Sequence, residues 1–194
     1  MCHSQRKLLS GAVVTLGCFA IIATCSRRSA KTAPLTLQLV SPGFSPGATI
    51  PKPLTCDGGD LSPALQWQSP PDATQSFALI ADDPDAPVGT WVHWVMFDMP
   101  PTLRSLPQNF PKAAQSADGS RQGTNDFDKI GYGGPCPPGG QLHRYFFKLY
   151  ALDTKVNLKP GATKKDLERA MQGHILARGE YMGRYSHSPP PIAR

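Results

Sequence analysis

Motifs that identify several common enzyme classes are absent from this 194-residue chain. It has no Walker phosphate loop and no glycine-rich dinucleotide fingerprint, which excludes these two ways of holding a nucleotide. It also has no H-x-x-x-H and no C-x-x-C pair, so the sequence gives no support for a zinc site of the usual kind. No activated nucleophile is evident either. These absences favour a binding or regulatory protein over an enzyme.

An excess of charge is also missing from the part of the chain expected to fold. The net charge is +6, but five of the 20 basic residues lie within the first 34 positions, whereas all 14 acidic residues follow them. The remainder therefore has 15 basic residues against 14 acidic ones. Lys164 with Lys165 is typical of the solvated face of a helix, and no basic stripe is interleaved with aromatic residues. We predict no nucleic-acid partner.

The chain lacks an apolar run that is long enough for a comfortable transmembrane helix. Its longest run, 8–23, is interrupted by glycine and follows two basic residues, a pattern typical of an export signal. We predict a signal segment over residues 1–25, a short polar tether over 26–34 and one folded domain over 35–194. The protein is therefore expected to leave the cytoplasm.

The mode of membrane attachment depends on Cys25. The three residues before it, Ile22-Ala23-Thr24, loosely resemble the lipobox of bacterial lipoproteins, although threonine is atypical at the last of these positions. A lipid anchor at Cys25, a conventional signal peptide and an uncleaved anchor therefore all stay open. Each leads us to expect a periplasmic or membrane-anchored protein.

Cysteine is scarce in the predicted domain, which contains only Cys56 and Cys136. Two thiols in an exported chain can pair as a disulfide. Two separate thiols, buried or lining a pocket, fit the sequence equally well. Spacing alone leaves both alternatives open.

Proline and glycine, by contrast, are abundant, with 21 and 18 residues, and they separate short runs in which apolar and polar residues alternate. Such alternation predicts a loop-rich, mostly β protein. Thr163 with Asp166 predicts the start of the single clear helix, and Leu103 with Leu106 predicts a short helical turn. Strands are predicted at 35–40, 64–67, 76–81 and 91–96, from His143 onward, and from Ile175 to Tyr181.

The densest glycine and proline segment, GYGGPCPPGG at 131–140, leads almost directly into the strand that begins at His143. This composition excludes both a helix and a paired strand, so the segment must be a shaped loop. The strand opens His143-Arg144-Tyr145, which places an imidazole, a guanidinium and a phenol at the mouth of a sheet. A core strand with a tight entry turn is the simpler alternative.

A second polar cluster follows the strand at 76–81, where Asp82, Asp83 and Asp85 fall within four positions. Three adjacent carboxylates are unfavourable unless donors or a cation meet their charges. The alternative is an acidic turn whose aspartates cap backbone amides. His93 lies on the next strand between two tryptophans, where a buried core histidine is the simpler interpretation. The short connection allows the aspartate turn and His93 to lie side by side.

Taken together, DPDAP followed by WVHW, and GPCPP followed by HRY, resemble the two signature regions of the phosphatidylethanolamine-binding protein family. The bacterial Raf-kinase-inhibitor-like branch is the more similar one, because TCDGGDLSPALQW resembles the segment that precedes its first signature. The resemblance covers most of 35–185. It implies an all-β fold with one or two short helices, a β-sandwich of antiparallel sheets with a small pocket at one end.

The resemblance also implies the ligand and the residues that hold it. The ligand would be a small anion such as phosphate, phosphoethanolamine or a phospholipid headgroup, and a kinase or protease would be the protein partner. A cis peptide between Ala86 and Pro87 is predicted as well, because the turn must reverse quickly between two strands. The ligand-binding residues implied are Asp83, Pro87, Trp91, His93, Gly134, Pro135, His143 and Tyr145.

Three classes of function fit these residues. A binding or regulatory module without catalytic residues, metal or cofactor is the preferred prediction. A hydrolase that uses Asp83, His93 and His143 for acid/base chemistry is the alternative. A metal protein is the third, with these three residues and Cys136 as candidate ligands.

Overall fold

A computed structural model describes residues 33–187. The predicted signal over 1–25 with Cys25, most of the tether over 26–34 and the proline-rich tail at 188–194 lie outside the described residues. Within the described part, no helix is both long and apolar enough to cross a membrane.

The described residues form two β-sheets and one α-helix, which confirms the predicted mostly β fold. The larger sheet has six strands in the order β1-β9-β8-β4-β5-β7, and the smaller one has the order β2-β3-β6. Neighbouring strands are antiparallel except β1 and β9, which are parallel. The strands are β1 (Leu35–Thr36), β2 (Gln38–Val40), β3 (Leu65–Gln68), β4 (Ser76–Asp83), β5 (Trp91–Met99), β6 (Ser105–Leu106), β7 (Arg121–Gln122), β8 (His143–Leu152) and β9 (Ile175–Tyr185).

Strand β4 is the centre of the larger sheet and is buried along its whole length. Successive side chains of a strand point to opposite faces. Phe77 and Leu79 therefore pack in the core between the two sheets, whereas Ala78 and Ile80 pack in a second core beneath the helix. This two-sided burial explains why 76–81 is a continuous apolar run instead of an alternating one.

The antiparallel pairing of β4 with both neighbours determines where the site lies. Asp82 near the end of β4 pairs with Phe146 near the start of β8, and Asp83 pairs with Trp91 at the start of β5. The end of β4 and the starts of β5 and β8 therefore meet at one edge of the sheet. The register brings the two polar stretches found in the sequence together.

The helix α1 (Lys164–Ala170) begins where the sequence predicts it. The Thr163 side chain accepts a hydrogen bond from the Asp166 backbone, and the Asp166 carboxylate accepts one from the Thr163 backbone at 3.1 Å. This reciprocal capping satisfies amides that have no partner inside the helix. Leu167 and Met171 are buried against the larger sheet, so the predicted apolar face is core.

Two local predictions differ from the structure. The run 35–40 is not one strand, because the chain leaves the larger sheet at Leu37 and enters the smaller one as β2. Leu103 and Leu106 do not form a helical turn. Leu106 belongs to β6 and is buried opposite Leu65 of β3, since strand pairing gives it access to the core. Two short 3-10 helices lie at Lys52–Leu54 and Pro138–Gly140.

Candidate functional site

A cavity of about 290 Å³ lies at the sheet edge where β4 ends and where β5 and β8 begin. The loops that follow β4 and precede β8 form its mouth. Six of the eight predicted site residues line it: Asp83, Pro87, Trp91, His93, His143 and Tyr145.

Asp83 and His143 form a buried pair at the cavity. Nδ1 of His143 donates to Oδ2 of Asp83 at 2.7 Å, and both side chains are less than 5% exposed. The other oxygen of Asp83 accepts from the Asp85 backbone at 2.8 Å, so the carboxylate is held at both ends. Nε2 of His143 is buried and has no hydrogen-bond partner among the described residues. The pair therefore orients one ring nitrogen that lacks a partner.

His93 is both a buried strand residue and a cavity residue, so the two interpretations of the sequence are compatible. Its Nδ1 donates to the Gly133 carbonyl at 2.6 Å, and the Gly133 amide donates back to the His93 carbonyl at 2.9 Å. The ring packs edge-on against Phe127 and Tyr145, with centroid separations of 5.4 and 5.2 Å. Burial lowers the pKa of His93, because it penalises the charged form. The imidazole is therefore neutral at neutral pH.

Tyr145 lies two residues after His143 on the same face of β8, since side chains alternate along a strand. Its hydroxyl is buried and, within the described part of the chain, has no hydrogen-bond partner. Burial and the nearby Asp83 carboxylate raise the pKa of Tyr145, so the phenol keeps its proton. It is a hydrogen-bond donor available to a ligand.

The turn after β4 is attached to β8 by a bidentate ion pair. Nε and a terminal nitrogen of Arg144 donate to the two oxygens of Asp85 at 2.9 and 2.6 Å, and the Arg144 backbone donates to the same carboxylate at 2.9 Å. These contacts lower the pKa of Asp85 to about 2. Protein donors therefore meet the charge of this carboxylate, which removes the need for a bound cation.

The predicted cis bond between Ala86 and Pro87 is wrong, because the described residues contain no cis peptide. The Ala86 carbonyl accepts from the Gly89 amide at 3.0 Å, which makes Pro87 the second residue of a four-residue turn. A trans proline suits that position, whereas turns with a cis proline place it third. Gly89 takes a positive φ of 101°, which allows the chain to reverse without cis geometry.

Gly134 and Pro135 do not line this cavity, although the resemblance implies that they do. The Gly134 amide donates to Oδ1 of Asp60 at 2.5 Å, and the Pro135 carbonyl accepts from the Cys56 amide at 3.1 Å. A side chain at Gly134 would approach the Leu54 carbonyl to 2.8 Å, so only glycine fits there. Both residues attach the loop before β8 to the segment at 54–60, and motif matching alone does not distinguish that role from ligand contact.

Cys56 and Cys136 form a disulfide with a Cα–Cα distance of 5.4 Å, which decides between the two alternatives left by the sequence. Cys136 lines the cavity, so the bond fastens one cavity wall to the segment at 54–60. His187 lies near both sulfurs, and the three ligand atoms are within 4.8 Å of one another. Paired thiols are not metal ligands, which removes Cys136 from the candidate metal set.

Sequence reasoning missed Phe127. It lines the cavity and packs edge-on against Trp91 at a centroid distance of 5.5 Å. The Asn125 side chain holds its loop by accepting from the Phe127 and Lys129 amides and donating to the Gly131 carbonyl, at 2.9 to 3.1 Å. A single aromatic residue in a polar loop has no periodicity, so the sequence offers no pattern that would have identified it.

Sequence reasoning, which found no G-x-S-x-G motif, also missed one serine segment. Gly43 to Gly47 reads GFSPG and therefore matches the G-x-S-x-G pattern of serine hydrolases. That pattern needs a turn from a strand into a helix, whereas Ser45 lies on an exposed turn after β2 that is not followed directly by an α-helix. No described histidine or carboxylate hydrogen-bonds to Ser45. The geometry gives no support for a nucleophile here.

The comparisons with known proteins agree with this geometry. The family model for phosphatidylethanolamine-binding protein matches residues 40–186. A UPF0098 protein from Aquifex aeolicus is 50% identical over 151 residues, which are 77% of this chain and 88% of the relative. A crystal structure of a phosphatidylethanolamine-binding protein homologue, CT736 from Chlamydia trachomatis, superimposes with a TM-score of 0.72 at 39% identity, covering 79% of this chain and 99% of that chain. The crystal structure of E. coli YbcL, a new member of the mammalian family, superimposes with a TM-score of 0.70 at 32% identity. The match covers 78% of this chain and 99% of that chain.

Proposed function

Since the chain belongs to the phosphatidylethanolamine-binding protein family, we propose that it binds a small phosphate-bearing anion in the cavity. Free phosphate, phosphoethanolamine and a phospholipid headgroup share this chemistry. The observation that carries the proposal is that Nε2 of His143 and the hydroxyl of Tyr145 are buried without partners among the described residues. Each unpaired buried group costs about 1 to 3 kcal/mol. Oxygens of an anion would satisfy both groups.

The charge around these groups favours an anion. Tyr145 keeps its proton and donates, and the Asp83 carboxylate holds the His143 ring through Nδ1. Both oxygens of Asp83 already accept hydrogen bonds from His143 and from the Asp85 backbone. Each oxygen of Asp83 therefore already has one donor before a ligand binds.

The cavity walls suit the organic part of such a ligand. Trp91 and Phe127 form an aromatic wall, and Val88, Pro137 and Pro138 are apolar residues of the lining. Val88 is 80% exposed, which is unusual for a large apolar side chain and places apolar surface beside the cavity. An aromatic wall also attracts an ammonium group such as that of ethanolamine.

Binding without turnover is part of the proposal. The lining contains no serine, threonine or lysine, and the thiol of Cys136 is held in a disulfide. The described lining therefore offers no hydroxyl of serine or threonine, no lysine amine and no free thiol as a nucleophile. Release of p-nitrophenol from p-nitrophenyl phosphate, abolished by His93→Ala, would replace this proposal with the hydrolase alternative.

Calorimetric titration of the full chain with phosphoethanolamine tests the binding proposal. We expect saturable binding that His143→Ala weakens at least about tenfold, because a charge-assisted hydrogen bond contributes about 1.5 to 3 kcal/mol. His174→Ala is the matched control, since His174 is exposed and pairs with Asp153 at 2.8 Å outside the cavity. Equal loss in both variants, or no binding by the parent chain, would contradict the proposal.

We also propose that the protein is exported and anchored through Cys25. The support is the sequence of residues 1–25, which lie outside the described residues. Mass spectrometry of the membrane fraction tests this proposal: the parent protein should carry a lipid at Cys25, and Cys25→Ser should be unmodified and released. Equal membrane association of an unmodified variant would contradict it.

A further inference from the structure

The two histidines at the cavity use the same ring nitrogen for support. Nδ1 of His93 faces the Gly133 carbonyl at 2.6 Å, and Nδ1 of His143 faces Asp83 at 2.7 Å. A carbonyl oxygen and a carboxylate oxygen only accept, so both Nδ1 atoms carry the hydrogen. In a neutral ring the other nitrogen, Nε2, is then an acceptor.

The partners of the two rings differ in charge. A carboxylate oxygen of Asp83 holds the His143 ring, whereas the backbone carbonyl that holds His93 is neutral. The acidic groups around His93 are engaged elsewhere: Asp83 with His143, Asp82 on the opposite face of β4 with lysines, and Asp126 with the Val92 amide at 2.7 Å.

The remaining neighbours of His93 are uncharged and do not favour a protonated ring either. Tyr145 of β8 is a neutral phenol, and Phe127 is apolar. Burial therefore dominates, and it lowers the pKa of His93. Nε2 of His93 is an acceptor, on a ring that packs edge-on against the Tyr145 ring.

We propose that the cavity selects anions that carry a hydrogen-bond donor, and that Nε2 of His93 accepts the hydrogen bond from this donor. This rests on the proposed function. A ligand P–OH or ammonium N–H donates to His93, while ligand oxygens accept from Tyr145 and His143. His93 is therefore the specificity-determining residue.

Inorganic phosphate and sulfate are the matched probes. They have the same tetrahedral shape, but at neutral pH phosphate always carries at least one hydroxyl and sulfate carries none. Sulfate would turn an oxygen lone pair toward the lone pair of Nε2 and leave that nitrogen without a hydrogen-bond partner. A site built to accept a ligand hydrogen rejects the analogue that lacks it, and we expect at least about tenfold weaker binding of sulfate.

A second pair of probes identifies the source of the hydrogen. Glycerophosphoethanolamine and glycerophosphocholine are phosphodiesters without a P–OH, and only the former has ammonium N–H groups. Preference for glycerophosphoethanolamine would show that an ammonium group supplies the hydrogen. Preference for phosphate over sulfate would show that a phosphate hydroxyl does. Either preference supports the proposal.

The experiment is calorimetric titration of the full chain with each probe at constant ionic strength and neutral pH. Sulfate binding as tightly as phosphate, together with glycerophosphocholine binding as tightly as glycerophosphoethanolamine, would overturn the selectivity and leave the proposed function standing. Failure of all four probes to bind would contradict both. These comparisons use the parent chain and need no variant.

His93→Gln adds a test of the residue itself. The glutamine amide offers either an oxygen or an N–H group. The variant should therefore bind the two probes of a pair with more nearly equal affinity than the parent chain does. His174→Gln, outside the cavity, should keep the parent preference. An unchanged preference in a folded His93→Gln protein would overturn the role assigned to His93.

Discussion

Asp82 and Asp83 are adjacent in the sequence but lie on opposite faces of β4, and the polar groups around them are satisfied to different degrees. On the helix side, the fully buried Asp82 carboxylate accepts from Lys148 at 2.7 Å and from Lys164 at 2.6 Å. On the cavity side, Asp83 holds a histidine whose second nitrogen has no partner among the described residues. The first network is complete within the fold, whereas the described residues leave the second incomplete, and we propose that a ligand completes it.

The cavity side is nonetheless held firmly in place. The disulfide between Cys56 and Cys136 fastens one wall, and the Arg144–Asp85 ion pair fastens the turn after β4. Unpaired groups in a mobile segment would turn toward water. Here the surrounding contacts keep them buried, which is the arrangement expected of a site prepared for a ligand.

The largest expected effect comes from removing the disulfide, which fastens the cavity side only. Changing both Cys56 and Cys136 to serine should lower the free energy of unfolding by about 4 kcal/mol, since the bond closes a loop with a sequence separation of 80. Guanidinium unfolding of the oxidised parent, the reduced parent and the double variant measures this. The last two should agree. Alkylation of both thiols in the unreduced native protein would contradict the pairing.

Breaking the helix-side network should reduce stability without reducing binding. Asp82→Ala leaves two lysines without their shared partner, and we expect a loss of about 3 kcal/mol in the free energy of unfolding. Phosphoethanolamine affinity should change less than about twofold, because Asp82 does not line the cavity. Asp153→Ala, which removes an exposed partner of His174, is the control and should cost less than about 1 kcal/mol. If Asp82→Ala lost more binding free energy than unfolding free energy, the distinction between the two faces of β4 would be contradicted.

Two tyrosines sharpen the comparison, because both are buried and only one hydroxyl has a partner. Tyr132 donates to the Leu54 carbonyl at 2.9 Å, so Tyr132→Phe should lower the free energy of unfolding by about 1 kcal/mol and leave binding unchanged. Tyr145→Phe should leave stability unchanged or raise it, and should weaken phosphoethanolamine binding about fivefold. Thermal unfolding and calorimetry measure both quantities. Weaker binding in Tyr132→Phe, together with lower stability and unchanged binding in Tyr145→Phe, would show that the Tyr145 hydroxyl does not donate to the ligand.

The smallest expected effect concerns pH and the ion pair that fastens the turn after β4. Arg144 lowers the pKa of Asp85 to about 2. Its contribution is therefore complete above the ordinary carboxyl value of about 4 and is lost as the pH falls toward about 2. Because Arg144 is half exposed, the pair should contribute less than about 1 kcal/mol. Carboxyl NMR titration of Asp85 checks the midpoint, and a midpoint near 4 would contradict the pairing.

Much of the fold could be predicted because it depends on local patterns. Alternation over 143–150 predicted β8 and its buried face, and the Thr163-to-Asp166 spacing predicted the helix start. The two signature stretches also predicted six residues of the cavity lining. These features depend on neighbours in the sequence, which the sequence displays directly.

What could not be predicted depends on distant contacts. The disulfide requires two loops to meet in space, and the position of Phe127 depends on a loop that Asn125 holds together. Gly134 and Pro135 match a motif, but only the tertiary structure reveals that they attach a loop. The Ala86–Pro87 bond is trans because of a turn hydrogen bond that the composition does not specify.

The central claim is that the groups left unpaired on the cavity side bind an anion. Histidine-selective ¹H–¹⁵N NMR of the full chain during titration with phosphoethanolamine tests it most directly. We predict that the Nε2 resonances of His93 and His143 shift to saturation together, while those of His174 stay in place. Unmoved His93 and His143 resonances at a ligand concentration that calorimetry shows to be saturating would contradict the claim and place the binding site elsewhere.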